Sequence, residues 1–298
     1  MTKCPACLIG FARGDYPGLA QHLVDRAEES DSAHVRWLNQ NLTRRKTDAE
    51  SLVPTLRTSF DLGGSPLTHW VKARFISKFY EDPPHPFVRA LQHPSRATLL
   101  GYVMEHQHFL RQWVRSCAYI IARTDQPEVI LYELDNLTTE YGGSGPDRPA
   151  HYELLLQMGE SLGVDRATVL ATPPLPATRR AIEQWNEMAM REHWVAVLTA
   201  MHSLELIASR TLVDDGASMH YFDPAILSSG EITPAARSFL REGYEADVGH
   251  SEQALGLASR FATALDVVED VQSVFLRSID LFDDYLIARL ERAGQFEA

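Results

Sequence analysis

No apolar run in this chain approaches the roughly 20 residues that a helix needs to cross a bilayer. Its first residues also lack the basic-then-apolar order of a secretory signal. A soluble, cytoplasmic protein with no membrane partner is therefore expected. Basic charge is in short supply: 28 Lys and Arg stand against 40 Asp and Glu, a net charge of −12. Nucleic-acid binding relies on basic patches, so that class of partner is set aside. Cysteine is scarce, with Cys4, Cys7 and Cys117 the three in 298 residues. That is too few for a disulfide scaffold. Two of them are spaced Cys-x-x-Cys, which in a chain without a secretory signal suggests metal or redox chemistry. Alternating apolar and polar runs are missing as well, so no strands are expected, and no internal repeat is evident. What the chain does have is a 45% hydrophobic content, enough to bury a substantial core. Its length suits one large domain, or one domain with an appendage.

The most informative stretch is Asn136 to His151, NLTTEYGGSGPDRPAH. Val129, Ile130, Leu134 and Leu137 before it have helical spacing, and Glu140 closes that pattern. Gly142, Gly143, Gly145, Pro146 and Pro149 then break the helix. His151 opens the next apolar run, with Leu154, Leu155, Met158 and Leu162. A carboxylate thus ends one helix and an imidazole begins the next, with a turn between that can bring them together. A metal centre inside a helical bundle needs such an arrangement. The plainer alternative is a helix–loop–helix with a solvated Glu. Further on, GYEADVGH over 243–250 sets Asp247 and His250 three apart, on one helical face.

These two segments together resemble the haem-oxygenase-like diiron oxidases, also called iron-containing redox enzymes. The resemblance covers roughly residues 90–290 and rests on NLxxEYGxG…AH followed about ninety residues later by HxxxDxxH. It implies a haem-oxygenase-like bundle and iron held by Glu140, His151, Asp247 and His250. The family also places a Glu on the helix before the second motif, and Glu205, flanked by Leu204 and Leu206, matches it. A carboxylate among apolar residues needs a cation or a proton in any case. His202, one turn away, is expected beside the ligands rather than among them. Where the family has the first His of HxxxDxxH this chain has Gly243. Two iron sites are implied, the one next to Gly243 weak. The activity implied is O2-dependent oxidation of a small amino acid, amine or related metabolite, in natural-product biosynthesis: N-oxygenation, desaturation or oxidative C–C cleavage. Two alternatives stay open on the same scaffold. One is a metal-free, thiaminase-like enzyme using Cys117, beside which no activating partner is evident. The other is a degenerate, non-catalytic relative kept for partner binding.

The N-terminus carries a second candidate site. Cys4, Cys7 and His22 are read as ligands of a structural zinc, with His34 as the fourth. Twelve residues of unbroken helix would hold His22 and His34 about 18 Å apart. Both can bind only if the helix breaks, and Ser30-Asp31-Ser32 is the expected break. Its helix has too few basic residues for DNA, so folding or docking is the expected role.

The rest of the chain reads as helix. Residues 46–82 hold two patterns, Ala49–Leu56 and Leu67–Tyr80, before a Pro-rich connector in which His85 and His93 are read as surface residues. A long helix over 94–124 follows. On it Glu105 and His108, three apart, are additional candidate iron ligands, or else a polar rim around the pocket. Cys117 is read as a small buried hydrophobe. A very long helix is expected from Thr178 to about Thr211. Thr233-Pro234 should cap the next one, running through Ala262. The last, about 264–292, is expected to face its charges outward and to serve packing or a homodimer surface. Tyr102, Phe109, Trp113, Tyr141 and Tyr244 are candidate pocket aromatics. The fold class expected is all-α, a bundle of about seven helices with a small zinc-finger-like module. The division expected is 1–45 for that module, 46–93 for a helical connector and 94–298 for the metal-binding domain.

Overall fold

The computed structural model describes residues 1–41, 48–143 and 149–297, without the side chains of 245–248 and 250. It begins with a hairpin: β1 (Thr2–Lys3) pairs antiparallel with β2 (Gly10–Phe11). This corrects the expectation of no strands. Two-residue strands are too short for alternation to show in a sequence. Next come α1 (Tyr16–Glu28) and α2 (Ser32–Asn41). The break between them falls where the sequence put it. Ser30 is left-handed at φ 66°, and the Asp31 carboxylate accepts from the backbone N–H groups of Ala33 and His34 at 3.1 and 3.3 Å. The turn folds α2 back on α1 and returns His34 to His22.

Helices α3 (Ala49–Phe60) and α4 (Leu67–Phe79) follow, then the short α5 (Pro86–Ala90). His85, expected at the surface, is 5% exposed. Its Nδ1 accepts from the Phe87 N–H at 3.1 Å and caps α5, while Nε2 lies 3.2 Å from Asp283. The prolines around it mark a connector correctly, but this connector is packed against the bundle.

The bundle is built from α6 (Arg96–Arg123), α7 (Pro127–Leu137), α8 (His151–Ser161), α9 (Arg166–Ala171), α10 (Pro176–Arg191), α11 (Trp194–His202), α12 (Pro234–Ala264) and α13 (Val268–Ala293). Thr233 caps α12 and Pro234 is its first residue, as expected. The single long helix over 178–211 is corrected. It breaks at Glu192, extended at ψ 162°, and His193 caps α11 by accepting from the Val195 N–H at 3.3 Å. Lys3 of the hairpin pairs with Glu192 at the break. After His202 the chain tightens into a 3-10 turn over Ser203–Ala208. Apolar spacing runs through these breaks because both halves bury the same face.

Helix α13 is central, packed on α6, α10 and α11. Phe275, Phe282, Tyr285 and Leu286 fill the core from it. Its charges do not all face out. Asp270, Arg277, Asp280, Arg289 and Arg292 are buried. Most meet a partner there: Asp270 with Lys3 at 2.6 Å, Asp280 with Lys78 at 2.7 Å, Arg292 with Glu105 at 2.7 Å, and Arg277 with Gln184. Buried charge is tolerated where it is paired and hydrogen-bonded.

Candidate metal centre

Helix α7 opens into a wider π turn over Thr138–Gly142. Such turns favour functional sites because they rotate side chains out of helical register. Here the turn carries Glu140 inward, to 7% exposure. Gly143, at φ 69°, then turns the chain. Residues 144–148 lie outside the described part, and α8 begins with His151. The two groups meet as the spacing suggested: His151 Nδ1 donates to Glu140 Oε1 at 3.3 Å. Burial alone would lower the His151 pKa, but Glu140, then Glu242 and Glu205, outweigh it and raise it.

Glu205 arrives from the 3-10 turn. In that conformation residues three apart eclipse, so Glu205 sits beside His202, with His202 Nδ1 to Glu205 Oε1 at 3.5 Å. Asn136 Nδ2 donates to the same oxygen at 3.4 Å, and Trp113 Nε1 donates to Asn136 Oδ1 at 2.5 Å. On its other side His202 Nε2 donates to Glu133 Oε1 at 3.0 Å. Burial pulls the His202 pKa down, but Glu133 and Glu205 outweigh it and hold it at about 10. His202 is thus tied to two carboxylates that favour its charged form.

Glu140, His151 and Glu205 line one cavity of about 60 Å³. Phe109, Trp113, Leu204 and Phe239 make its apolar wall, and Gly243 also lines it. Helix α12 is continuous through 243, 247 and 250, but the side chains of Asp247 and His250 lie outside the described part. A test of fit comes from the polar atoms. Glu140 Oε2, His151 Nε2 and Glu205 Oε2 are buried and have no hydrogen-bond partner among the described residues. Buried polar atoms are nearly always satisfied, and an unpaired carboxylate oxygen is costly. Three such atoms around one cavity, on oxygen and imidazole donors, fit a divalent cation of the iron or manganese kind.

The additional ligand candidates on α6 are corrected. Glu105 is buried but turned away, accepting from Arg292 Nε at 2.7 Å and the Leu175 N–H at 3.1 Å. His108 Nε2 lies 3.1 Å from the Thr172 carbonyl oxygen, on the connector before α10. The α6 face on the cavity is instead Tyr102, His106, Phe109, Leu110 and Trp113. Of the expected aromatics Tyr102, Phe109 and Trp113 line it, whereas Tyr141 stacks on Tyr152 at 5.1 Å and Tyr244 packs on Phe222. His106, Glu133 and Arg289 escaped the sequence reading. Glu133 had a signal, being a carboxylate one turn before Leu137 on the buried face of α7. Cys117 is buried as expected, but it has neighbours: its thiol clusters with Glu133 and His202 within 4.8 Å. Burial, reinforced by Glu133, raises its pKa well above the ordinary thiol value.

At the N-terminus Cys4, Cys7, His22 and His34 bring one donor atom each within 4.8 Å of the others. Cys4 Sγ is 3.6 Å from His34 Nε2, Cys7 Sγ 3.3 Å from His22 Nε2, and the two Nε2 atoms are 3.1 Å apart. Asp31 receives a hydrogen bond from His34 Nδ1 at 2.6 Å and fixes its ring.

The TENA/THI-4/PQQC family model matches residues 70–293. The chain belongs to this family. A C2H2-type zinc-finger model matches residues 1–61, one copy, and with the four-residue cluster it points to zinc. No curated protein matches the chain. Solved structures with a similar fold include a domain of unknown function with a haem-oxygenase-like fold from Shewanella denitrificans. Its TM-score is 0.60 at 20% identity, covering 76% of this chain and 92% of that one. A TenA homologue protein from P. horikoshii has a TM-score of 0.54 at 14% identity, covering 75% and 96%. A CADD-like protein of unknown function from Nostoc punctiforme has 0.52 at 17%, covering 78% and 96%. At such identities the likeness concerns the fold, which is the haem-oxygenase-like one. This TENA/THI-4/PQQC member adds a zinc-finger-like module at its N-terminus. Among its described residues no helix is long and apolar enough to cross a membrane.

Proposed function

We propose that the cavity holds iron and that the protein is a non-haem, O2-dependent oxidase or oxygenase of a small metabolite. The observation that carries this reading is the set of three buried, unpartnered donor atoms on Glu140, His151 and Glu205 around one cavity. Asp247 and His250 complete the proposed ligand set. Iron among carboxylate and imidazole ligands supplies activation of dioxygen and oxidation of a bound substrate. The chain's own residues do the rest. Glu140 accepts the Nδ1 proton of His151 and so leaves Nε2 as the free donor. His202 and Asn136 orient Glu205 through Oε1 and leave Oε2 free. Phe109, Trp113, Leu204 and Phe239 give the cavity an apolar wall.

The metal-free alternative needs Cys117 as a thiolate. That thiol is 1% exposed and its pKa is raised, both adverse to a nucleophile. We also propose that Cys4, Cys7, His22 and His34 hold a structural zinc. The test of the oxidase reading is metal analysis of protein produced with added iron, followed by oxygen consumption of the anaerobically reduced protein. Alanine at His151 should remove most of the bound iron and the oxygen uptake. Full iron content in that variant would sink the assignment.

A further inference from the structure

Arg289 is 1% exposed and lies against the same cavity. Arginine cannot shed its proton inside a protein, so its charge must be met by something. The guanidinium makes three hydrogen bonds. Nη1 donates to the Tyr221 hydroxyl at 2.9 Å, and Nη2 donates to the Tyr285 hydroxyl at 2.7 Å and to His106 Nδ1 at 2.8 Å. Nε has no partner. The ring of Tyr102 lies 4.0 Å and that of Tyr285 4.5 Å from the guanidinium carbon.

None of these partners is a carboxylate. Burial, and then the Arg289 charge itself, hold the His106 pKa well below its ordinary value. Burial likewise raises the pKa of Tyr221 well above the ordinary phenol value. Among the described residues no carboxylate pairs with Arg289. The contrast lies one turn along, where Arg292 has Glu105 at 2.7 Å. Aromatic faces offset part of the desolvation of a cation, but they do not neutralise it. The hydrogen bonds also leave a donor pointing onward. With Nδ1 accepting from Arg289, and 2.9 Å from the Tyr285 hydroxyl, His106 carries its proton on Nε2. Tyr221 accepts from Arg289 and also shares a hydrogen bond with Tyr102, so it holds the guanidinium in place. His106 and Tyr221 both line the cavity.

We infer that Arg289, with Tyr221 and His106, is the anchor for the carboxylate of a small monocarboxylic acid, the substrate class of this cavity. This deepens the proposed function and rests on its reading of the cavity as the substrate site. The ring centroid of His106 is 6.4 Å from that of His151. One imidazole therefore separates the cation from the proposed iron ligands. A cavity of about 60 Å³ with Phe109, Phe239 and Leu240 in its wall admits a short apolar chain. A carboxylate on Arg289 sets the next carbons of that chain toward Glu140, His151 and Glu205.

The experiment compares butyrate with butyramide, equal in shape and different in charge, by calorimetry and thermal shift on the full-length, zinc-loaded protein. It is run first without iron, so that a carboxylate cannot be held by the metal. Butyrate should bind at least about tenfold more tightly than butyramide, as for a charge-assisted hydrogen-bonded pair. Arg289→Gln should abolish the difference. Tyr221→Phe, a milder change, should reduce it several-fold, and serves if Arg289→Gln does not fold. Equal binding of acid and amide, binding of neither, or an acid preference that survives in the variants overturns the inference. The series is then repeated with Fe(II). An acid preference in protein that takes up no iron leaves the anchor standing and removes the oxidase. Iron uptake with no acid preference does the reverse.

Discussion

At position 243 a glycine stands where the diiron oxidases that the sequence resembles have a histidine, and the structure puts Gly243 in the wall of the cavity proposed to hold iron. A histidine there would add a neutral nitrogen donor beside Glu205. Gly243→His should therefore yield a second tight iron in a titration, with the parent binding one tightly and the other weakly. A parent that already binds two tightly would show that another residue fills the place. Glu105 allows the opposite kind of test. Arg292→Met removes its cation and leaves a buried carboxylate with only the Leu175 N–H. Breaking such a pair costs about 3–5 kcal/mol. Urea denaturation should show that loss, while iron content stays at the parent level, because Glu105 faces away from the cavity. Loss of iron with unchanged stability would restore Glu105 as a ligand. The two carboxylates also show what a sequence conveys. Glu140 and His151 were legible because a helix end, a glycine-rich turn and a helix start constrain each other. Glu105 and His108 were not placed correctly. Both sit on a helix buried nearly all round, where spacing names a face but not what packs on it.

At the scale of elements, the N-terminal hairpin is clamped onto the bundle. Lys3 reaches Asp270 at 2.6 Å and also Glu192, the Thr2 hydroxyl donates to Glu269 at 2.7 Å, and Arg36 pairs with Asp284. The four proposed zinc ligands come from the hairpin loop, α1 and α2, so zinc would tie α1 to the two pieces, hairpin and α2, that carry these contacts. Cys4→Ser should lower zinc content by about one equivalent and speed proteolysis within residues 1–41, since metal binding and folding of such modules are coupled. Iron uptake should be largely kept. Unchanged zinc content in the variant would refute the site. The break between α1 and α2 was readable from Ser30-Asp31-Ser32, because turn and cap residues act locally. The break at Glu192 was not, since its partner Lys3 lies far away in sequence. The inward charges of α13 were hidden for the same reason: only the fold shows that Asp280 meets Lys78 and Arg292 meets Glu105.

On the scale of the whole molecule, Glu140, His151 and Glu205 come from three separate segments, the π turn after α7, the start of α8 and the 3-10 turn after α11. Their unpartnered atoms store a cost that a bound cation would relieve. A metal that binds the folded chain and not the unfolded one stabilises the whole by linkage, about 2.7 kcal/mol at a hundredfold excess over Kd. In a chain of this size about 1 kcal/mol moves the midpoint by roughly 2 °C, so Fe(II) should raise the Tm by about 5 °C. The rise should vanish in His151→Ala and persist in Cys4→Ser, because the zinc-finger-like module shares no ligand with the cavity. The two variants thus separate the sites within one measurement. A Tm that ignores Fe(II) in the parent chain would mean that the three buried donors do not meet a metal, and the proposed iron centre would fall with it.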